Sequence, residues 1–213
     1  IPTLNESMTA FESGDMETAY KNFSRLAPQG DATAAFYLGY MMDRGLGTLK
    51  NPYAAVSWYR KAADQNYLPA VVYMGYVFST GHGVTKDDKE AFKWYTKAAQ
   101  MGSAEAQNAV GTMLRDGRGY KKDYQLASQW FLQAATQNNA QAQSNLAAMY
   151  LLGQGVQANT PVALYWYDLA AKKKEVFALA ALGAFYRGGV GVEKNAETAL
   201  QYYAQAAELG HVP

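Results

Sequence analysis

Residues 70–99 read AVVYMGYVFSTGHGVTKDDKEAFKWYTKAA, and the fold follows from this stretch. Its landmarks are Ala70, Met74 and Gly75, then Gly81, Gly83 and Val84, then Asp87, and last Ala91, Trp94, Tyr95, Ala98 and Ala99. The same landmarks recur every 36 residues. All 4 Trp keep the interval, at Trp58, Trp94, Trp130 and Trp166, and the next step falls on Tyr202. Gly39, Gly75, Gly111, Ala147 and Gly183 form one column. Gly45, Gly81, Gly117, Gly153 and Gly189 form a second, and Gly47, Gly83, Gly119, Gly155 and Gly191 a third. Glycine therefore marks repeat geometry here rather than flexible linkers, and an internal repeat takes precedence over any other architecture.

Each repeat reads as two helices, A and B. Ala34, Leu38, Met41 and Met42 fall at i, i+4, i+7 and i+8, one face of a helix. Gly45 ends helix A, since glycine adopts the left-handed C-terminal position at least cost. Helix B opens at the column Asn51, Asp87, Asp123, Asn159 and Asn195, residue types whose side-chain oxygen accepts from the free N–H groups of a first turn. Pro52 follows at the position where a missing donor is harmless. Helix B ends near Asn66, Gly102, Asn138, Lys174 and Gly210; four of these suit a left-handed cap and Lys174 does not. The Gly39 column sits inside helix A, where glycine costs about 1 kcal/mol against alanine. A close crossing of the two helices, with the aromatic residues of helix B packed nearby, would repay that cost.

The ends depart from the pattern. Residues 1–30 read as a degenerate first unit in which Asp15 opens a helix carrying Ala19, Phe23 and Ala27. The full units are 31–66, 67–102, 103–138, 139–174 and 175–210, within one repeat domain spanning 1–213, and 211–213 form a tail. The chain starts Ile1-Pro2 rather than with Met, as expected of a processed form. It is either an excerpt of a longer array or a protein whose last repeat is left open.

Composition narrows the chemistry. The 213 residues include no Cys and 2 His and carry a formal net charge of +1. This excludes disulfides, cysteine-based zinc sites and thiol nucleophiles. Near-zero charge argues against a nucleic-acid binder that neutralises many phosphates. No apolar stretch reaches the roughly 20 residues of a membrane span. No cofactor or metal is expected.

The pattern Ala-x3-Leu-Gly-x2-Tyr-x2-Gly-x-Gly-Val, an Asp cap, then Ala-x2-Trp-Tyr-x2-Ala-Ala resembles the Sel1-like repeat, a relative of the tetratricopeptide repeat. Residues 31–210 carry it five times, with Ala147 for Gly, Thr48 and Tyr120 for Val, and Tyr202 for Trp as departures. Residues 1–30 look more like a plain tetratricopeptide unit. The resemblance implies an all-α, right-handed solenoid of about six helix pairs with helix A lining the concave side. It implies scaffold or adaptor work without shared catalytic residues, often in exported, periplasmic or host-contact proteins of bacteria.

Other chemistry has little support among the residues. The Gly-x-Gly segments follow helices rather than strands and miss the phosphate-loop spacing. His82 stands between two loop glycines in a column that varies as Leu46, Arg118, Gln154 and Val190, which reads as an exposed loop tip. Asp87-Asp88 coincides with the cap column, and Arg115 to Lys122 offers at most an anionic contact.

Positions on helix A that vary between repeats carry the clearest functional signal, because core columns must repeat and a recognition face need not. By analogy with tetratricopeptide geometry these are positions 36, 40, 43 and 44 and their equivalents. They supply aromatic and apolar anchors at Phe36, Tyr40, Val72 and Tyr76, joined by the adjacent Tyr37 and Tyr73. Asn108, Arg115 and Asp116 supply polar contacts, and small residues follow at Ser144, Ala148, Ala180 and Ala184. The expected function is a non-enzymatic scaffold or adaptor that holds a protein or peptide ligand on this face. The alternatives are a glycan-binding or polysaccharide-export module, or the accessory repeat domain of a larger enzyme.

Overall fold

The structure, a computed structural model, describes residues 1–210. The tail at 211–213, His211 included, lies outside the described residues. Among the described residues the chain is all-helical. The helices are α1 (Leu4–Glu12), α2 (Met16–Leu26), α3 (Ala32–Arg44), α4 (Pro52–Asp64), α5 (Leu68–Thr80) and α6 (Asp88–Gln100). They continue as α7 (Ala104–Asp116), α8 (Tyr124–Thr136), α9 (Ala140–Leu152), α10 (Thr160–Ala171), α11 (Val176–Gly188) and α12 (Ala196–Glu208). A short 3-10 turn, Ala27–Gln29, follows α2. The chain divides into two compact units, one ending at Ser103 and one beginning at Ala104. Within each, every helix packs on its neighbours in sequence. No helix among the described residues is long and apolar enough to cross a membrane.

The cap column is a double tie. The side-chain oxygens of Asn51, Asp87, Asp123, Asn159 and Asn195 accept from backbone N–H groups in the first turn of the helix each one opens. The backbone N–H of the same five residues donates back to the last turn of the preceding helix, at Met42, Phe78, Leu114, Tyr150 and Tyr186, over 2.7–3.0 Å. One residue thereby closes the end of helix A and the start of helix B. The first loop glycine completes the turn: Gly81 has φ 76° and its N–H donates to Val77 O. The second serves stacking. A Cβ on Gly83 would lie 2.5 Å from the Pro52 carbonyl oxygen at the start of the preceding helix B. Close approach as well as turning therefore explains the Gly-x-Gly pair.

The glycine inside helix A faces a ring, as the expected close crossing requires. A Cβ on Gly75 would lie 2.5 Å from the Tyr95 ring, and on Gly111 2.7 Å from Phe131. Gly39 meets Tyr59 and Gly183 meets Tyr203 in the same way. The contacting ring belongs to the residue after the Trp, not to the Trp itself. Tyr59, Tyr95, Phe131 and Tyr167 are buried, whereas the four Trp are half-buried. Lys61 Nζ stands 3.9 Å from the Trp58 ring centroid, and Arg60 and Lys97 lie near Trp94, so these rings present a face to cations at the surface. The residue next to the Trp therefore forms the core contact.

Lys174 overrides its own preference. It adopts φ 59°, the left-handed conformation that Asn66 and Asn138 take in the same column. The repeat geometry imposes it, at the 1–2 kcal/mol or so that the left-handed region costs a residue with a Cβ.

Two substitutions test these accounts by urea denaturation. Gly75→Ala gains helix propensity but overpacks the Tyr95 ring, and a net loss of about 1–2 kcal/mol is expected. Gly39→Ala, with 3.1 Å available to the Tyr59 ring, is expected to lose less. Lys174→Gly relieves a strained backbone and is expected to raise stability by about 0.5–1 kcal/mol after the added freedom of the unfolded chain.

Candidate functional site

In the first unit the helix A faces of α3 and α5 carry a connected set of rings. Tyr37 stacks on Phe23 at 5.4 Å and meets Phe11 edge-on at 5.1 Å. Phe36 touches Tyr37, Tyr59 and Tyr67 at 5.4–5.6 Å. Tyr59 lies 4.4 Å from Tyr73, and Tyr73 5.3 Å from Tyr76. Tyr40 sits beside Phe11 beneath the Arg44 guanidinium, 5.1 Å from its ring centroid. Phe36, Tyr37, Tyr40, Val72 and Tyr73 are half-buried, and Tyr76 is the most open of the six, at 42%. The six expected residues thus share one unit. Most make ring contacts inside it while keeping an edge in solvent.

Asp43, expected on the exposed face, is instead buried at 3% exposure. Its Oδ2 accepts from the Tyr73 hydroxyl at 2.6 Å, and its Oδ1 lies 2.6 Å from His82 Nε2. A carboxylate only accepts, so Nε2 is the protonated nitrogen of the imidazole. His82 is therefore not a bare loop tip. The loop after α5 folds back on α3, half-buries the ring, and sets it 6.2 Å from Tyr76. Burial and the bond to Asp43 push the Tyr73 phenol well above the usual tyrosine range, so it stands as a neutral donor. The Tyr59 hydroxyl is buried without a hydrogen-bond partner among the described residues, and burial first, with Tyr73 and Asp43 nearby, raises it as well.

The polar residues lie in the second unit. Arg115 Nε and Nη2 donate to the Asp116 carboxylate at 2.8 and 3.2 Å, and Nη1 donates to Asn145 Oδ1 at 3.1 Å. Asn145 Nδ2 in turn donates to Asn108 Oδ1 at 2.9 Å. Asn108, Arg115 and Asp116 therefore act as one network, joined through Asn145, which the sequence reading missed. A pocket of about 490 Å³ opens beside it, lined among others by Arg115, Ser144, Asn145 and Tyr167. Burial pushes the Tyr167 phenol up to about 12, so it too is neutral at physiological pH. Ser144, expected on the exposed face, is buried.

The missed pairings obey a rule of their own. Asp43 and Tyr73 are 30 residues apart, and so are Arg115 and Asn145. The two pairs occupy equivalent repeat positions and join consecutive A helices. A search of column 43 against the column 30 residues ahead would have found both. Asp43→Ala leaves the Tyr73 hydroxyl and the His82 ring without their acceptor, and a loss of about 2–3 kcal/mol is expected in urea denaturation, with changed near-UV dichroism from the tyrosine cluster.

The matches to known proteins agree with this geometry. The Sel1 repeat matches at residues 32–67, 68–103, 104–139, 140–174 and 176–211. No curated protein matches the chain. Among solved structures it is similar to a Sel1 repeat protein from Oxalobacter formigenes, at 34% identity and a TM-score of 0.88 over 98% of this chain and 85% of that one. It is also similar to a protective antigen present in uropathogenic Escherichia coli strains and displaying an SLR fold, at 35% identity and a TM-score of 0.85. That match covers 90% of this chain but only 41% of the antigen. An immunity protein from Pseudomonas aeruginosa, at 20% identity and a TM-score of 0.56 over 98% of this chain and 84% of that one, shares the fold alone. With five consecutive repeats matched and the same helix pair built five times over, the chain belongs to the Sel1 repeat family.

Proposed function

We propose that this chain is a non-enzymatic scaffold that binds a protein or peptide partner through the helix A faces of its repeats. Sel1 repeats generally mediate protein–protein contacts, and their fold is typically a non-catalytic scaffold. The observation that carries the reading is the aromatic cluster of the first unit. Phe36, Tyr37, Tyr40, Tyr73 and Tyr76 are held by ring contacts and a buried carboxylate, yet each keeps part of its surface in water. Val72 lies half-buried on the same helix as Tyr73 and Tyr76.

Rings locked in this way suit recognition. Tyrosine offers a large contact area with few rotatable bonds, and those bonds are already restrained here, so little entropy remains to be lost on binding. Charged residues are few on this surface, as in the centres of protein interfaces, where aromatic residues are enriched. Asn108, Arg115 and Asp116 form a separate polar contact set in the second unit, already arranged by their own hydrogen bonds.

The experiment is capture of partners from the native host with the wild-type chain and with Tyr40→Ala and Tyr76→Ala. Both side chains are partly exposed, so the variants are expected to keep the helical dichroism of the parent. Loss of a central aromatic anchor is worth about 2 kcal/mol, and a roughly thirtyfold drop in affinity for the captured partner is expected. Unchanged affinity for every partner in both variants would overturn the assignment.

A further inference from the structure

Helices α10 and α12, the B helices of the last two repeats, carry the same five residues at equivalent positions. They are Ala163, Leu164, Tyr167, Ala170 and Ala171 in α10, and Ala199, Leu200, Tyr203, Ala206 and Ala207 in α12. Two of the five are buried in both helices, Ala163 with Ala199 and Ala170 with Ala206. The other three differ. Tyr167 and Ala171 are 6% and 8% exposed and Leu164 is half-buried, whereas Tyr203 is half-buried, Ala207 is exposed and Leu200 is 68% exposed. The difference is a cover. Helix α11 packs on α10, with the Phe185 ring 6.0 Å from the Tyr167 ring. Ala178, Leu179 and Leu182 join the same apolar cluster, and Leu164 packs against it. Among the described residues no helix follows α12. Leu200, Tyr203 and Ala207, at i, i+3 and i+7, therefore form an uncovered stripe along one helix face.

We infer that this stripe is a docking site for an amphipathic helix of a partner protein, one that carries apolar side chains at the spacing of Leu179, Leu182 and Phe185. The occupant follows from the preceding repeat, where the same five residues are met by a helix of that pattern. A helix laid on α12 as α11 lies on α10 sets its aromatic residue against Tyr203 and a leucine beside Ala207. This is recognition of a helix through residues on one of its faces. A second copy joined head to tail does not supply such a cover. Helix α1 is the one with no helix before it among the described residues, and it exposes Asn5, Glu6, Thr9 and Glu12. Laying that helix on Leu200 would strip water from carboxylates and give them no partner in return. The stripe shares no residue with the aromatic cluster of the first unit, so it adds a second contact surface to the scaffold.

The test is an NMR titration of the whole chain with a capped synthetic peptide of residues 175–188, which span α11 and its N-cap, bearing a Lys-Lys tail for solubility. Saturable shifts at Leu200, Tyr203 and Ala207 are expected. A peptide with Leu179→Ser and Phe185→Ser is expected to bind at least about tenfold more weakly, and the unaltered peptide to lose at least about tenfold on the chain variants Leu200→Glu and Ala207→Glu. Both positions are exposed, so these variants are expected to keep the helical dichroism of the parent. Absence of saturable shifts, shifts confined to other helices, equal binding of the Ser peptide, or equal binding by both chain variants would each overturn the inference. Self-association of the chain alone, measured by sedimentation and abolished by Leu200→Glu, would overturn it as well, by giving the stripe to a second copy. The readout involves neither Tyr40 nor Tyr76, so failure here leaves the anchors of the first unit standing.

Discussion

Each repeat depends on an aromatic ring lying directly on helix backbone. Where Tyr95 meets Gly75 or Phe131 meets Gly111, the space that a β-carbon would take is already filled by ring atoms. The close approach fixes the crossing of helix A and helix B, and the cap residue that bonds to both helices fixes their separation in sequence. A ring, a glycine and a cap held in one geometry cannot drift independently. An insertion in either helix or the loop would break all three contacts, which accounts for a period that runs unbroken through five repeats. Ala147 marks the tolerance of the arrangement: one methyl is admitted opposite Tyr167, and both residues remain buried.

These constraints act on the inner side of each helix pair and leave the outer face of helix A free. Positions 43 and 73 and their equivalents show what the freedom permits. An acid accepting from a phenol in the first unit becomes an arginine donating to an amide, and then a leucine beside an alanine. The backbone is equivalent each time and only the side-chain chemistry changes. Repeated contacts thus set how the helices stack, and unrepeated ones set the chemistry of the surface.

The division also explains what could be read from the amino-acid order. The helix pair, the caps at Asn51 through Asn195 and the glycine columns were legible because they repeat, and repetition filters out chance. The choice between Trp94 and Tyr95 as the ring on the glycine was not, because the two are adjacent and both repeat; only the direction of the side chain separates them. Lys174 was misleading for a related reason, since neighbouring contacts outweigh the preference of a single residue. Asp43 and His82 were illegible in another way. Asp43 bonds to two residues of the next repeat, Tyr73 and His82, at separations of 30 and 39 residues rather than 36, so aligning columns places bonded residues in different columns. His82 looked like a variable loop residue because no other repeat has an acid in the place of Asp43.

The buried Asp43 gives the first unit its character. A carboxylate at 3% exposure is costly unless both oxygens are engaged, and here one takes the Tyr73 hydroxyl and the other the His82 ring. Each bond fixes an aromatic group whose partly open side faces solvent, so meeting the demand of the carboxylate also orders the surface. The last repeats follow the opposite course. With Leu151 in place of the acid there is no buried charge to satisfy, no phenol or imidazole is needed, and the alanines leave a space open to solvent. Four differences at equivalent positions, Leu151 for Asp43, Ala181 for Tyr73, Ala184 for Tyr76 and Val190 for His82, thus separate a filled, ordered aromatic surface from a vacant apolar one on equivalent backbone. Asp43 itself scarcely reaches the solvent, yet it holds two of the aromatic groups that do.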